Sequence, residues 1–91
     1  FALTVTYPQA GNIGGGGFMV IKTKDKVTTI DYREKAPAGS TRNMFLNEKG
    51  DFLPEKSQVG HLSAGVPGSV AGLLYALEKY GSMTREDVLA Q

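Results

Sequence analysis

The stretch Gly11–Val20, GNIGGGGFMV, places four consecutive glycines directly before an apolar segment. Glycine inside a regular element costs about 0.5–1 kcal/mol relative to alanine, so a run of four needs a physical reason. A P-loop or a dinucleotide-binding fingerprint would place its glycines at the start of a helix. Here Gly17 is followed by Phe18 and a strand-like sequence. The run is therefore better explained by close packing of the backbone at the head of a buried strand.

The composition is that of an ordinary globular protein. Hydrophobic residues make up 41% and charged residues 21% of the 91-residue chain, which excludes a disordered or fibrous protein. The net charge of +1 predicts no broad attraction to nucleic acid or anionic lipid. The longest apolar run, Phe18–Ile21, is far shorter than the roughly 20 residues of a membrane-spanning helix. We therefore expect this segment to contact neither nucleic acid nor a membrane.

Cysteine is missing from the sequence and histidine occurs once, as His61. The sequence therefore excludes disulfides and thiolate metal sites, and a metal site would need carboxylate ligands. We predict no metal and no cofactor. The sequence opens on Phe1 without a signal-peptide pattern, and Thr84 and Asp87 have the spacing of a helical capping box close to the last residue. Both ends suggest a piece of a longer protein.

The hydrophobic pattern predicts an antiparallel β-hairpin in the first half of the chain. Residues 18–24 and 27–34 read as strands joined by a short turn. Residues 1–7 also alternate and favour a strand that stops at Pro8. In the second hairpin strand, alternate residues share a face: Val27, Thr29, Asp31 and Arg33 on one side, and Thr28, Ile30 and Tyr32 on the other.

The second half of the sequence predicts a loop followed by one secure helix. Residues 36–65 read mostly as loop, with about one helical turn at Thr41–Leu46. A helix is predicted over 67–80, with Pro67 as its first residue and Gly81 as its C-terminal cap. Its apolar residues recur at helical spacing and are expected to pack on the hairpin: Val70, Leu73, Leu74, Leu77 and Tyr80.

Nucleophilic catalysis within this sequence has little support. His61 could pair with Ser57 or Ser63, but a triad also needs an orienting group and an oxyanion hole. A structural or surface role is favoured for this histidine. Thr28 and Thr29 lie within a predicted strand, so neither has the free amine that activates a threonine nucleophile.

Arg33 is a more informative residue, because it stands at the end of a predicted strand. A guanidinium is a planar fork that grips a carboxylate with two hydrogen bonds. On spacing alone, however, a salt bridge around the neighbouring Glu34 is the favoured explanation of this arginine. The alternating Lys22, Lys24 and Lys26 are interpreted as one solvated strand edge.

Three segments resemble the γ-glutamyltranspeptidases in the order and spacing typical of that family. They are Tyr7–Met19 (YPQAGNIGGGGFM), Ile30–Pro37 (IDYREKAP) and Gly65–Gly72 (GVPGSVAG). Four glycines alone would be a weak signal, but the three segments together cover nearly the whole sequence and are specific.

The resemblance implies an α+β fragment of the αββα sandwich of N-terminal nucleophile hydrolases. Members of this family are made as a zymogen, which cleaves itself into a large and a small subunit. Residues 1–91 would be a single partial domain near the N-terminal end of the large subunit, containing the antiparallel β-hairpin plus helices. The resemblance also implies that residues 1–6 are the end of a helix, against the strand that their alternation favours.

The implied activity is that of a γ-glutamyltransferase and glutathione hydrolase. Arg33 would bind the α-carboxylate of a γ-glutamyl substrate such as glutathione, and Glu34 would support Arg33. The nucleophilic threonine and the oxyanion hole would belong to the small subunit, so no catalytic residue is expected here. The four glycines are not expected to form the oxyanion hole. A cephalosporin or poly-γ-glutamate acylase and a non-catalytic module are the alternatives. The resemblance implies a periplasmic, secreted or cell-surface location.

Overall fold

The computed structural model describes residues 1–90 and has an α+β fold, as the sequence predicts. Its elements are helix α1 (Ala2–Thr6), strands β1 (Phe18–Lys22) and β2 (Val27–Asp31), helix α2 (Pro54–Gln58), a 3-10 turn (His61–Ser63), helix α3 (Ser69–Tyr80) and helix α4 (Arg85–Leu89). One compact unit runs from Ala36 to Val66, and the residues on either side of it form the other. The assignment of all 91 residues to one partial domain stays a prediction. No helix in residues 1–90 is both long and apolar enough to cross a bilayer.

The predicted antiparallel hairpin is confirmed, with strands a few residues shorter than expected. Phe18 pairs with Asp31 at its open end and Lys22 pairs with Val27 at its turn. The Thr23 N–H donates to the Lys26 carbonyl at 2.9 Å, which closes the turn. Regular pairing stops at Lys22 and Asp31, so the polar residues predicted beyond these positions lie outside the sheet.

The two faces of the hairpin differ in burial, because side chains alternate along each strand. Half-buried residues occupy one face, and they include Met19 and its partner Ile30. The other face exposes apolar side chains: Phe18 is 68% exposed and Val20 is 73% exposed. The predicted division of the second strand into two faces is thus confirmed. The three lysines predicted as a solvated strand edge are all exposed, namely Lys22, Lys24 and Lys26. Only Lys22 belongs to a strand, since Lys24 and Lys26 lie in the connection between β1 and β2.

Helix α3 runs along the half-buried face, antiparallel to β2. At its first turns Gly68 and Gly72 lie against Tyr32, the residue after β2. At its last turn the ring of Tyr80 lies under the ammonium of Lys26, whose Nζ is 5.2 Å from the ring centroid. The length of α3 matches the distance from Lys26 to Tyr32. The twelve residues of α3 and the six residue steps of extended chain each span roughly 20 Å.

The face of α3 that is most buried differs from the predicted one. Ser69 is 7% exposed and Ala76 is 9% exposed, and Gly72 is also buried. Val70 is 40% exposed, and the three leucines of the predicted stripe are only half-buried: Leu73, Leu74 and Leu77. The end of the hairpin approaches the helix so closely that small residues fit where leucines would not.

The start of α3 also corrects the sequence prediction. Pro67 was expected as the first helical residue, but the helix begins at Ser69 with Gly68 as its N-cap and no side-chain cap. The carbonyl of Gly15 instead accepts the N–H groups of Gly68 at 2.9 Å and Ser69 at 3.0 Å. Helix N-termini leave such donors without partners inside the helix. The glycine run therefore supplies what a capping side chain would normally supply.

The end of α3 is at Gly81, as predicted, but its geometry is unexpected. Gly81 has φ of −81°, so its backbone is extended rather than left-handed. A Cβ there would lie 2.6 Å from the carbonyl oxygen of Leu77, so space explains this glycine. Next, α4 begins at the predicted capping box, in which the Asp87 N–H donates to Thr84 Oγ1 at 3.1 Å.

Residues 2–6 form a helix, so the strand favoured by alternation is wrong and the helix implied by the resemblance is confirmed. The hydroxyls of Thr4 and Thr6 donate to the carbonyls of Phe1 at 2.6 Å and Ala2 at 3.1 Å. Threonine bonded to the preceding turn is compatible with a helix. Alternation failed as a signal because no neighbouring strand pairs with this segment.

The unit Ala36–Val66 contains more structure than the predicted loop. The signal for α2 was present in the sequence, since Pro54 occupies the first turn together with Glu55. Thr41–Leu46 forms turns rather than a helix, with the Leu46 N–H donating to the Asn43 carbonyl at 3.0 Å.

Residues 1–90 bury very little apolar surface among themselves. Ala76, at 9% exposure, is the only buried hydrophobic side chain in this part of the chain. Large apolar side chains such as Phe18, Val20 and Val27 are more than half exposed. A folded domain needs apolar burial to offset its conformational entropy. The exposed face of the hairpin therefore requires a covering layer.

We expect the isolated 91-residue chain to self-associate and to unfold without a cooperative transition, because its sheet face and strand edges stay uncovered. Sedimentation velocity and thermal scans of the purified chain measure both properties. A monomer with one sharp thermal transition would contradict this expectation.

We further expect Gly72→Ala to destabilise the full-length protein by about 1–3 kcal/mol, because the new Cβ overlaps the side chain of Tyr32. In an open helix the same change would stabilise by up to about 1 kcal/mol. Gly39→Ala is the matched control, since a Cβ there meets nothing within 4 Å. The measurement is the midpoint of urea-induced unfolding. Equal midpoints for the two variants would refute the close contact.

Candidate substrate-binding site

The candidate site lies at the open end of the hairpin, where the chain leaves β2. The N–H of Tyr32 donates to the Gly17 carbonyl at 2.9 Å, which adds one bond beyond the paired strands. Next, the N–H of Arg33 donates to Oδ1 of Asp31 at 3.0 Å. Aspartate bonded to the backbone two residues later favours a turn. Regular strand pairing therefore ends at Asp31, and Arg33 lies in the irregular segment that follows.

The glycine run packs against the residues that directly follow β2. A Cβ on Gly16 would lie 2.7 Å from the Tyr32 carbonyl oxygen and 2.8 Å from Cα of Arg33. A Cβ on Gly17 would lie 3.1 Å from the Tyr32 ring. The glycines of the run all have negative φ. Space rather than backbone conformation therefore requires Gly16 and favours Gly17, and the predicted close packing is confirmed at these two glycines.

Tyr32 is the centre of this arrangement, a role that the sequence pattern does not predict. A Cβ on Gly68 would overlap the backbone of Tyr32, and a Cβ on Gly72 would overlap its side chain. Gly16 and Gly17 approach Tyr32 from another direction. A signal was available, because each of the three family-like segments contributes either these glycines or the tyrosine. The three segments meet at one residue.

The side chain of Arg33 projects from this packed base. It is 64% exposed, so a ligand can reach its guanidinium. Its Nε is 3.7 Å from Oε2 of Glu34, which is an ion pair but too long for a hydrogen bond. Its Cζ is 5.8 Å from the ring centroid of Phe18. The predicted ion pair with Glu34 is thus present, and the fork remains accessible beside it.

The ion pair between Arg33 and Glu34 is too solvated to neutralise the guanidinium. Exposed pairs of this kind contribute about 0–1 kcal/mol, because water screens both charges. Glu34 therefore biases the orientation of Arg33 without occupying all of its donors. An incoming carboxylate can still form charge-assisted hydrogen bonds with the guanidinium.

A separate cavity of about 180 Å³ has Tyr32 in its lining. Apolar side chains such as Leu3, Ile13 and Leu73 line it, and charged side chains do not. Arg33 is not part of its lining. The cavity therefore lacks the groups that would recognise a charged substrate, and the structure does not join it to Arg33.

The other candidate residues form no catalytic group in the part of the chain that the structure describes. The hydroxyl of Ser57 donates to the Pro54 carbonyl at 2.9 Å, and that of Ser63 donates to the Gly60 carbonyl at 2.6 Å. His61 is exposed. The predicted structural or surface role of this histidine fits these contacts. Residues 1–90 contain no cluster of three or more His, Cys, Asp or Glu side chains suited to a metal ion.

The fold defines a class of protein, the N-terminal nucleophile hydrolases, because the hairpin and helices superimpose on members of that class. The chain matches the crystal structure of Helicobacter pylori gamma-glutamyltranspeptidase with a TM-score of 0.92 and 48% identity, over 98% of this chain and 26% of that one. The profile of the family described as Gamma-glutamyltranspeptidase matches residues 1–91. The chain belongs to the γ-glutamyltranspeptidase family.

Individual relatives agree with this assignment. The glutathione hydrolase proenzyme of Escherichia coli K12 is 54% identical over 90 residues, which cover 98% of this chain and 16% of the relative. The transpeptidase CapD of Bacillus anthracis is 36% identical, with a TM-score of 0.65 over 97% of this chain and 23% of that one. The chain thus spans about a sixth of the length of the curated relatives that it matches.

Proposed function

We propose that the protein containing this chain is a γ-glutamyltransferase and glutathione hydrolase. The observation that carries the proposal is the exposed fork of Arg33, fixed at the end of β2 in a member of this family. A γ-glutamyl donor offers a free α-carboxylate, and a guanidinium binds a carboxylate with two parallel hydrogen bonds. Relatives named glutathione hydrolase proenzyme support the same substrate class.

In the proposed reaction, Arg33 holds the α-carboxylate so that the γ-amide carbonyl meets the nucleophile. The nucleophile is the N-terminal threonine of a small subunit, and its own α-amino group accepts the hydroxyl proton. The amide nitrogen leaves as the amine, and an acyl-threonine forms. Water or an amine acceptor then takes the γ-glutamyl group. Arg33 contributes positioning, which can change rate as well as affinity.

The proposed partner of this chain is the small subunit released from the same precursor. The word proenzyme in the names of several relatives supports such a precursor. The apolar hairpin face with Phe18, Val20 and Val27 requires a covering layer, which the rest of the enzyme would supply. A periplasmic, secreted or cell-surface location rests on the family resemblance alone and stays a prediction.

The isolated chain should be catalytically inactive, because the proposal places the activated nucleophile in the small subunit. Loss of a nucleophile removes most of the rate advantage of an enzyme. A chromogenic γ-glutamyl anilide assay compares the purified 91-residue chain with the full-length protein. Turnover of the isolated chain above that of a boiled sample would disprove this assignment of roles.

Substitution of Arg33 in the full-length enzyme should lower kcat/KM for a γ-glutamyl donor. We expect Arg33→Ala to lose about 10- to 150-fold, the equivalent of one charge-assisted pair of about 1.5–3 kcal/mol. Arg33→Lys keeps the charge but lacks the fork, so it should lie between Ala and wild type. Arg42→Ala, which removes another exposed arginine, is the matched control.

The decisive comparison uses a γ-glutamyl donor and its α-amide analogue. Wild type should prefer the carboxylate donor, and Arg33→Ala should largely lose that preference. If the preference persists in mature Arg33→Ala enzyme, the carboxylate site lies elsewhere and Arg33 is a structural ion-pair residue.

A further inference from the structure

The last paired residues of the hairpin, Phe18 and Asp31, both contact Arg33. They face each other across the strands at the open end of the hairpin. Asp31 contacts the backbone of Arg33 and Phe18 lies beside its guanidinium. The two contacts therefore come from different strands but act on one residue, at the point where regular pairing ends.

The contact from Asp31 sets the path of the main chain. Its Oδ1 accepts the Arg33 N–H at 3.0 Å, two residues further on. Such a bond competes with continued strand geometry, and the strand pairing indeed ends at Asp31. The direction of the Arg33 Cα–Cβ bond therefore depends on an acceptor atom in residue 31. An amide oxygen would serve as well as a carboxylate oxygen.

The contact from Phe18 limits the positions of the guanidinium. The distance of 5.8 Å from Cζ to the ring centroid is within the range of about 6 Å for cation–π attraction. Phe18 is 68% exposed within this chain, so its ring face is open to the guanidinium. Val20 lies on the same exposed face of β1 but belongs to no such pair.

Glu34 completes the surroundings by placing a carboxylate 3.7 Å from Nε. A second carboxylate on that edge would be repelled by the first, since like charges at short range disfavour each other. The donor carboxylate should therefore bind at the two terminal nitrogens of Arg33. The ring of Phe18 and the hydrogen bond that Asp31 accepts from the Arg33 N–H determine where those nitrogens lie.

We infer that Phe18 and Asp31 are positioning residues that orient Arg33 toward the α-carboxylate of the donor. The inference rests on the carboxylate-binding role proposed for Arg33. Asp31 acts as a hydrogen-bond acceptor for the Arg33 N–H, and Phe18 acts through the face of its ring. Neither residue touches the substrate.

Paired substitutions in the full-length enzyme separate these roles from general stability. Asp31→Ala removes the acceptor, whereas Asp31→Asn keeps it without the charge. Phe18→Leu removes the ring, whereas Phe18→Tyr keeps it. Val20→Ala is the control on the same face of the hairpin.

The measured quantity is the ratio of kcat/KM for the γ-glutamyl donor to that for its α-amide analogue. This ratio does not depend on the amount of mature enzyme, so partial loss of folding or maturation leaves it unchanged. We expect the ratio to fall roughly 3- to 10-fold in Asp31→Ala and about 2- to 5-fold in Phe18→Leu. The Asn, Tyr and control variants should stay near the wild-type ratio. If Phe18→Leu yields no mature enzyme, Phe18→Met tests the same loss of the ring.

The same substitutions are then repeated in an Arg33→Ala background. If Asp31 and Phe18 act through Arg33, they should cause no further loss of the ratio there. If Arg33→Ala alone keeps the wild-type ratio, the proposed function of Arg33 fails. If Arg33→Ala loses it but Asp31→Ala and Phe18→Leu do not, only the positioning inference fails. An equal loss in Asp31→Asn and Asp31→Ala would overturn the acceptor role of Asp31.

Discussion

The close approach of backbones around Tyr32 is the constraint on which the hairpin, α3 and the candidate site depend. Gly16, Gly68 and Gly72 all lack the space for a Cβ because Tyr32 or the residues that follow it occupy that space. Well-packed interiors transmit small displacements because they have few voids. The end of β2 is therefore fixed relative to both the glycine run and the first turns of α3. The carbonyl of Gly15 strengthens this junction by accepting two N–H groups at the start of the helix.

This junction would allow an exposed side chain to bind a ligand precisely, as we propose for Arg33. Arg33 follows Tyr32 directly, so its main chain begins from a fixed point although its side chain is 64% exposed. Binding groups work best when a rigid base and neighbouring contacts restrict them. Here the base is a tyrosine held between glycines, and the restricting contacts come from Asp31 and Phe18. Exposure supplies access for a carboxylate, and the packed base supplies its position.

Much of the local structure could be predicted, because it depends on short-range patterns. The hairpin and its two faces follow from alternation, and the start of α4 follows from the spacing of Thr84 and Asp87. Arg33 could be proposed as a ligand from its place after a strand and from the family-like segment around it. Alternation failed at residues 2–6, where threonine hydroxyls bond to the preceding turn. The leucine stripe of α3 failed as a guide to the most buried face, since helical spacing does not reveal how close the neighbouring backbone comes.

The sequence by itself determined the family and the antiparallel hairpin, and it singled out Arg33 as the candidate carboxylate ligand. These properties depend on residue types and on spacings of a few positions along the chain. Only the tertiary structure decided why the glycines are needed, because their neighbours in space are distant in sequence. It alone showed that Tyr32 is the centre of the junction and that Phe18 and Asp31 both reach Arg33. The physical reason is steric. A glycine is required only where a Cβ would collide with a neighbouring group, and folding brings that group into place.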